Sequence, residues 1–221
     1  MPIQRNYRGI GEGNIASYNW TDIAEGTGNV NFYLAVTAKS GPTYSYELTS
    51  DTSFNSFGVR LTGGYTGNVI TFPNNATTNF DFNLTPFSLP KTVNGTALVN
   101  LFYHIFNTIA TLQNLYTTLT IYKVSGGDVT SIGTAVSNTV FGSSALDDGV
   151  GVISVPITIS NKVVFKRGDY IRLRVAGTVA NVAGAPQVHV GTDPGNSEYV
   201  KGGKTAFRTN SFIRIPFKID L

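Results

Sequence analysis

The sequence predicts an all-β protein: an antiparallel β-sandwich of the jelly-roll type with an extended N-terminal arm. Three observations predict it. First, Gly151 to Gly177 holds two alternating runs joined by Lys166-Arg167-Gly168-Asp169. In one, Ile153, Val155, Ile157 and Ile159 alternate with Ser154, Pro156, Thr158 and Ser160; in the other, Ile171, Leu173 and Val175 alternate with Arg172 and Arg174. Period-two patterning puts every second side chain on one face. Burying each aliphatic side chain is worth roughly 1.5–3 kcal/mol, so such faces demand a second sheet to pack on. Second, about ten short runs of this kind are separated by turn signals, as in sandwiches and jelly rolls. Third, hydrophobic residues make up 41% of the chain and charged residues only 13%, about half the usual charged share. Thr, Ser and Asn coat such a surface in place of Lys and Glu.

Residues 1–28 have no sustained period, yet they contain Tyr7, Ile10, Ile15, Tyr18 and Trp20. A flexible tail lacks large apolar residues, so this stretch reads as an arm ordered by lying on its own domain or on a neighbouring subunit. Residues 29–221 form the sandwich. Phe32, Leu34 and Val36 alternate in a first strand, and Tyr44, Tyr46 and Leu48 in a second, after a turn at Ser40-Gly41-Pro42. Residues 50–67 read as a long loop with a short strand near 58–62. Brief strands follow at Val69–Phe72 and Phe80–Leu84. The stretch from Gly95 to Leu119 is rich in Phe, Tyr, Val, Ile and Thr, which favour strands. It reads as two strands, 96–108 and 115–124, with a helix over 98–112 as the alternative. Gly126-Gly127-Asp128 is a tight hairpin turn leading to a weak strand at 129–137. After the central pair come a short strand at Gln187–Val190 and a terminal one alternating Ile213, Ile215, Phe217 and Ile219. Pro156 and Pro216 lack an N–H, so their strands place them at an edge or a bulge.

The chain has 221 residues, suiting one large β domain with an arm. Its net charge is +3. Most basic residues lie after residue 160, against Asp169, Asp193, Glu198 and Asp220, but too dilutely for the clustered basic stripe of a nucleic-acid binder. No nucleic-acid partner is expected. No run approaches the 18 apolar residues of a membrane helix, so no membrane is expected either. Cysteine is absent, which excludes disulfides and Cys-ligated metals. The N-terminus has no apolar leader core, and folding in a cytoplasm-like environment is expected.

Candidate chemistry is sparse. His104 and His189 are the only histidines, and neither has a second His at ligand spacing. His189 with Asp193 would make an acid–base pair at a strand end, against a structural role for each. Asp147-Asp148-Gly149 offers carboxylates for Ca²⁺ without EF-hand spacing. Gly203-Lys204-Thr205 lacks the earlier Gly of a phosphate loop, which would fall at Glu198. Arg167-Gly168-Asp169 spells an integrin-binding tripeptide, but Gly-Asp there serves the turn. With four Glu in the chain, paired carboxylates for glycoside hydrolysis are poorly supplied. No catalytic residue, metal or cofactor is expected, and the chain is expected not to be an enzyme. Tyr44, Tyr46 and Tyr65, with Tyr116 and Tyr122, offer a sugar-stacking set.

An N-terminal Gly-rich arm leads into DIAEGTGNVNFYLAVT (22–37). LPKTVNGTALVNLFYHIFN (89–107), ITISNKVVFKRGDYIRLRVAG (157–177), HVGTDPGN (189–196) and FIRIPFKIDL (212–221) follow in that order. Together they resemble structural proteins of tailed viruses, capsid-decoration or minor-capsid proteins with jelly-roll folds. The resemblance implies an accessory capsid (decoration or cement) protein that stabilises the shell by non-covalent contacts. The implied partners are the major capsid protein or other virion proteins, with a homotrimer as the assembly. The implied location is the virion, assembled in the host cytoplasm. In that setting Arg5, Tyr7, Arg8, Tyr18 and Trp20 are the arm's contact residues. The alternative is a carbohydrate-binding module on a viral fibre or tail, with Tyr44, Tyr46 and Tyr65 as the stacking residues.

Overall fold

The computed structural model describes residues 27–39, 43–56, 67, 69–73, 76–106, 113–141, 150–180, 187–197 and 208–218. Eleven strands lie among them: β1 (Thr27–Ala38), β2 (Tyr44–Thr49), β3 (Val69–Phe72), β4 (Thr78–Leu84), β5 (Lys91–Phe106), β6 (Gln113–Ser125), β7 (Asp128–Phe141), β8 (Val150–Phe165), β9 (Tyr170–Ala180), β10 (Gln187–Gly191) and β11 (Phe212–Lys218). No helix occurs among the described residues. Residues 1–26 of the arm expected at 1–28 and the strand expected near 58–62 lie outside them, while Thr27 and Gly28 belong to β1.

The pairing has jelly-roll order. One sheet runs β1–β11–β5–β8 and the other β4–β9–β6–β7, with antiparallel neighbours throughout. This order wraps two Greek keys around one core. β2 extends the first sheet beyond β1 and meets β4 through a short parallel contact, Glu47 with Asn83 and Leu48 with Leu84. That contact joins the two sheets along one side. β10 pairs with the C-terminal end of β5 and with β3.

The alternating runs explain the core. Ile153, Val155, Ile157 and Ile159 of β8 are buried while Ser154, Pro156, Thr158 and Ser160 are exposed. On the facing sheet, Ile171, Leu173 and Val175 of β9 are fully buried beside Phe82, Leu119 and Ile121. The described part of the ambiguous stretch is strand, not helix. β5 buries Val93, Ala97, Val99 and Leu101 at period two, and it bonds β8 along one side and β11 or β10 along the other. The strand expected as weak at 129–137 is the 14-residue β7.

Local chemistry sets the turns. Gly126 and Gly127 both have positive φ, 57° and 100°, and close β6 onto β7 between Ser125 and Asp128, the geometry that a two-residue hairpin favours. Pro156 lies on β8, paired on one side with Leu98 of β5. Pro216 lies at a register shift between Arg214 and Phe217. Both positions are where a missing N–H costs least.

Candidate functional site

The outer face of the β4–β9–β6–β7 sheet gathers most of the side chains with chemistry to offer. The strand registers lay them out in four rows. Asn83, Arg172, Tyr122 and Ser131 form one; Asp81, Arg174, Thr120 and Thr134 the next; Asn79, Ala176, Thr118 and Val136 the third; Thr178, Tyr116 and Asn138 the fourth. These positions point outward because their neighbours Phe82, Leu173, Val175, Leu119 and Ile121 fill the core.

Arg174 donates from Nε to Asp81 Oδ1 at 2.6 Å and from Nη2 to Oδ2 at 2.7 Å, a forked pair of charge-assisted bonds. Arg172 Nη1 lies 3.5 Å from the same carboxylate, and its Nε donates to Asn83 Oδ1 at 2.7 Å. The Arg174 bond holds the Asp81 carboxyl below its ordinary range against the opposing effect of burial, and the charges of Arg174 and Arg172 add to it. Arg174 in turn is pushed above the usual guanidinium value, chiefly by its bond to Asp81. Its guanidinium sits 5.3 Å from the Tyr122 ring centroid. One row from the Asp81–Arg174 pair Val136 is 74% exposed, and two rows from it Tyr116 is 47% exposed.

The opposite outer face, on β1–β11–β5–β8, is different. Tyr33 packs on Phe212 at 5.9 Å, Arg214 Nε donates to Asn31 Oδ1, and Ser154 Oγ donates to Asn100 Oδ1. The two edge strands carry further exposed valines: Val129 and Val136 on β7, and Val150, Val152 and Val164 on β8. Among the described residues β7 pairs only with β6, and β8 only with β5. The edges meet where Gly133 of β7 lies against Ile157 and Thr158 of β8.

The residues singled out from sequence are placed unevenly. Arg5, Tyr7, Arg8, Tyr18, Trp20 and Tyr65 lie outside the described residues, as do Asp147, Asp148 and Lys204. Tyr46 faces the core, its ring 5.3 Å from Phe80 and 5.5 Å from Phe82, and burial pushes its phenol pKa up, with a smaller push from Tyr44. Tyr44 shares that side of β2 by strand alternation. The Tyr46 ring is thus on the inner side, whereas Tyr116 and Tyr122 share the outer face. His104 and His189 are register partners in neighbouring strands, buried and stacked with centroids 6.2 Å apart. His189 Nδ1 lies 3.0 Å from Thr71 Oγ1. Asp193 spends its carboxylate on backbone N–H groups, Ser56 and Gly195 at Oδ1 and Ser197 at Oδ2. It ties the 192–197 loop to residues 54–56 rather than serving as an acid–base partner. No cluster of three metal-ligating side chains occurs among the described residues.

The Asp81–Arg174 pair and the outward side of β7 escaped the sequence reading. The alternation of Arg172 and Arg174 with core residues was a visible sign that both point outward, but nothing in the sequence named Asp81 as their partner.

No protein family and no curated protein matches the sequence. Among solved structures the chain is similar to an aminopeptidase from a marine sediment archaeon, Thaumarchaeota archaeon, at 10% identity and a TM-score of 0.49, over 85% of this chain and 37% of that one. It is similar to an α-amino acid ester hydrolase at 10% identity and a TM-score of 0.49, over 83% of this chain and 36% of that one. The infectious bursal disease virus VP2 subviral particle follows at 10% identity and a TM-score of 0.29, over 87% of this chain and 52% of that one. The chain thus spans little more than a third of the hydrolases it resembles. The expectation that the chain is not an enzyme, which rested on the scarcity of His and Glu, is contradicted by these likenesses to proteins named as hydrolases. At these scores the likenesses concern architecture alone, and the fold rests on the strand order itself: an all-β jelly roll.

Proposed function

We propose that this chain is an accessory capsid protein, a decoration or cement subunit that stabilises a virus shell, of the tailed-virus kind that its sequence resembles. The observation that carries this reading is the charge-poor pair of edge strands, where β7 has Asp128 and β8 has Lys162 as their charged residues. β7 runs 14 residues with Asp128 as its sole charged residue, and exposed valines line it and β8. Long unguarded edges are a liability for a protein that stays alone, and soluble proteins blunt them with charge. In a subunit that works inside an assembly they are contact surface. The arm at 1–28 adds Arg5, Tyr7, Arg8, Tyr18 and Trp20 as anchors on neighbouring subunits, Tyr, Trp and Arg being the residue types that dominate interfaces. The major capsid protein is the partner, and a homotrimer in the virion is the assembly.

Light scattering tests this. The full-length chain is expected to form a trimer or larger closed assembly, or to bind virus shells lacking it. Val136→Lys and Val152→Lys are each expected to lower the assembled mass or the shell binding while circular dichroism stays unchanged. A monomer that also fails to bind shells would sink the reading.

A second reading, a carbohydrate-binding module, is favoured by one observation: exposed Tyr116 shares an outer face with the Asp81–Arg174 fork.

A further inference from the structure

We propose that the outer face of β4–β9–β6–β7 binds a neutral oligosaccharide, stacked on Tyr116 and hydrogen-bonded by Asp81, Arg174 and their row. The inference rests on the second reading above and is independent of the shell reading.

The charge of the face selects the ligand class. Arg172 and Arg174 are met by Asp81 within the sheet. Glu47 stands beside Asn83 across the β2–β4 contact, where Thr37 Oγ1 donates to it at 2.8 Å. Within the rows two guanidiniums meet one carboxylate, and Glu47 on the adjoining β2 brings a second carboxylate to the border, so no uncompensated basic stripe remains. That suits an uncharged ligand and disfavours a polyanion, which would need an uncompensated basic stripe. An apolar peptide is disfavoured as well, because only Val136 and Ala176 interrupt the polar rows.

The polar groups suit vicinal hydroxyls. An Arg–carboxylate fork held by its own two bonds presents donors and acceptors at a fixed spacing, which lowers the ordering cost of binding. Asn79, Asn83 and Asn138 add amides, each both donor and acceptor. Tyr116 supplies the apolar ring on which the carbon-bound face of a sugar can lie. From Tyr116 to the Thr120 row is four residues along β6, roughly 13 Å at about 3.3 Å per residue. That distance exceeds one sugar ring, so a chain of several units is needed to reach both ends. Thr118, exposed between them, has too little bulk to block the path.

The test screens the full-length protein against immobilised neutral and acidic glycans. The strongest neutral binder, from disaccharide to hexasaccharide, is then titrated by calorimetry. Affinity is expected to rise with length beyond the disaccharide. Tyr116→Ala is expected to weaken binding about tenfold or more, equivalent to about 1.4 kcal/mol. Thr118→Arg, which leaves Tyr116 in place and fills the path, is expected to do the same, with the melting temperature of both variants near that of the parent. Binding confined to acidic glycans would overturn the neutral-ligand inference and leave the second reading standing. Neutral binding that neither variant weakens would overturn the site. No glycan binding at all would overturn both.

Discussion

Asp169 closes the turn between β8 and β9 and ties it to β6. Its carboxylate accepts the Lys166 N–H at 2.8 Å and lies 3.1 Å from Lys123 Nζ. The Lys166 bond foremost, then the Ser125 hydroxyl and Lys123, hold its pKa at about 2, below the ordinary 3.8. A carboxyl whose folded pKa is depressed contributes stability above its unfolded pKa and loses it as pH falls through the folded one. Thermal stability is therefore expected to fall as pH drops from about 4 to about 2. Asp169→Asn, which keeps the shape and removes the charge, is expected to melt lower near neutrality and to show a shallower fall. Parallel curves for the two proteins would refute this role. The turn was legible in the sequence because Gly168 and Asp169 act within three residues of Lys166. The Asp81–Arg174 bond was not legible, since its partners are 93 positions apart and only the β4–β9 register brings them together.

At the scale of elements, β7 and β8 each have one hydrogen-bonded neighbour among the described strands and touch each other at Gly133. A Cβ at Gly133 would lie 2.9 Å from Ile157 Cγ2 and 3.0 Å from the Thr158 carbonyl oxygen. The Ile157 methyl can shift, but the carbonyl belongs to a strand paired along its length with β5. Gly133→Val is therefore expected to cost about 1–3 kcal/mol, the usual penalty of overpacking, read as a lower urea midpoint. An unchanged midpoint would mean that the two edges are not packed in this way. β8 and β9 were readable as strands because each has one wet face. β7 read as weak because it buries little on either side, and an edge strand leaves a fainter period than a central one. The length of β5 was obscured for the opposite reason, since its apolar run also fits a helical stripe.

At the scale of the molecule, the eleven strands found among the described residues, and the core that joins them, lie between Thr27 and Lys218. Removing residues 2–20 is thus expected to leave the melting transition of the sandwich essentially unchanged. Under the proposed shell function it is also expected to abolish assembly or shell binding, measured by light scattering. A truncated chain that assembles as well as the full one would refute the arm as anchor, and one that unfolds would place the arm's contacts within the sandwich itself. Different surfaces invite different partners: polar rows around the Asp81–Arg174 fork on the outer face of β4–β9–β6–β7, and exposed Val150, Val152 and Val164 along the β8 edge.

The sequence by itself determined the all-β class, the inward and outward sides of β8, β9 and β11, and the glycine turns. Each follows from residues a few positions apart, through period-two burial and turn geometry. Only the tertiary structure decided the strand order, the inward placement of Tyr46, and the meeting of Tyr116, Tyr122, Arg174 and Asp81 on one face. Those depend on which strands pair, which is set by the packing of a shared core across long sequence separations and carries no local mark.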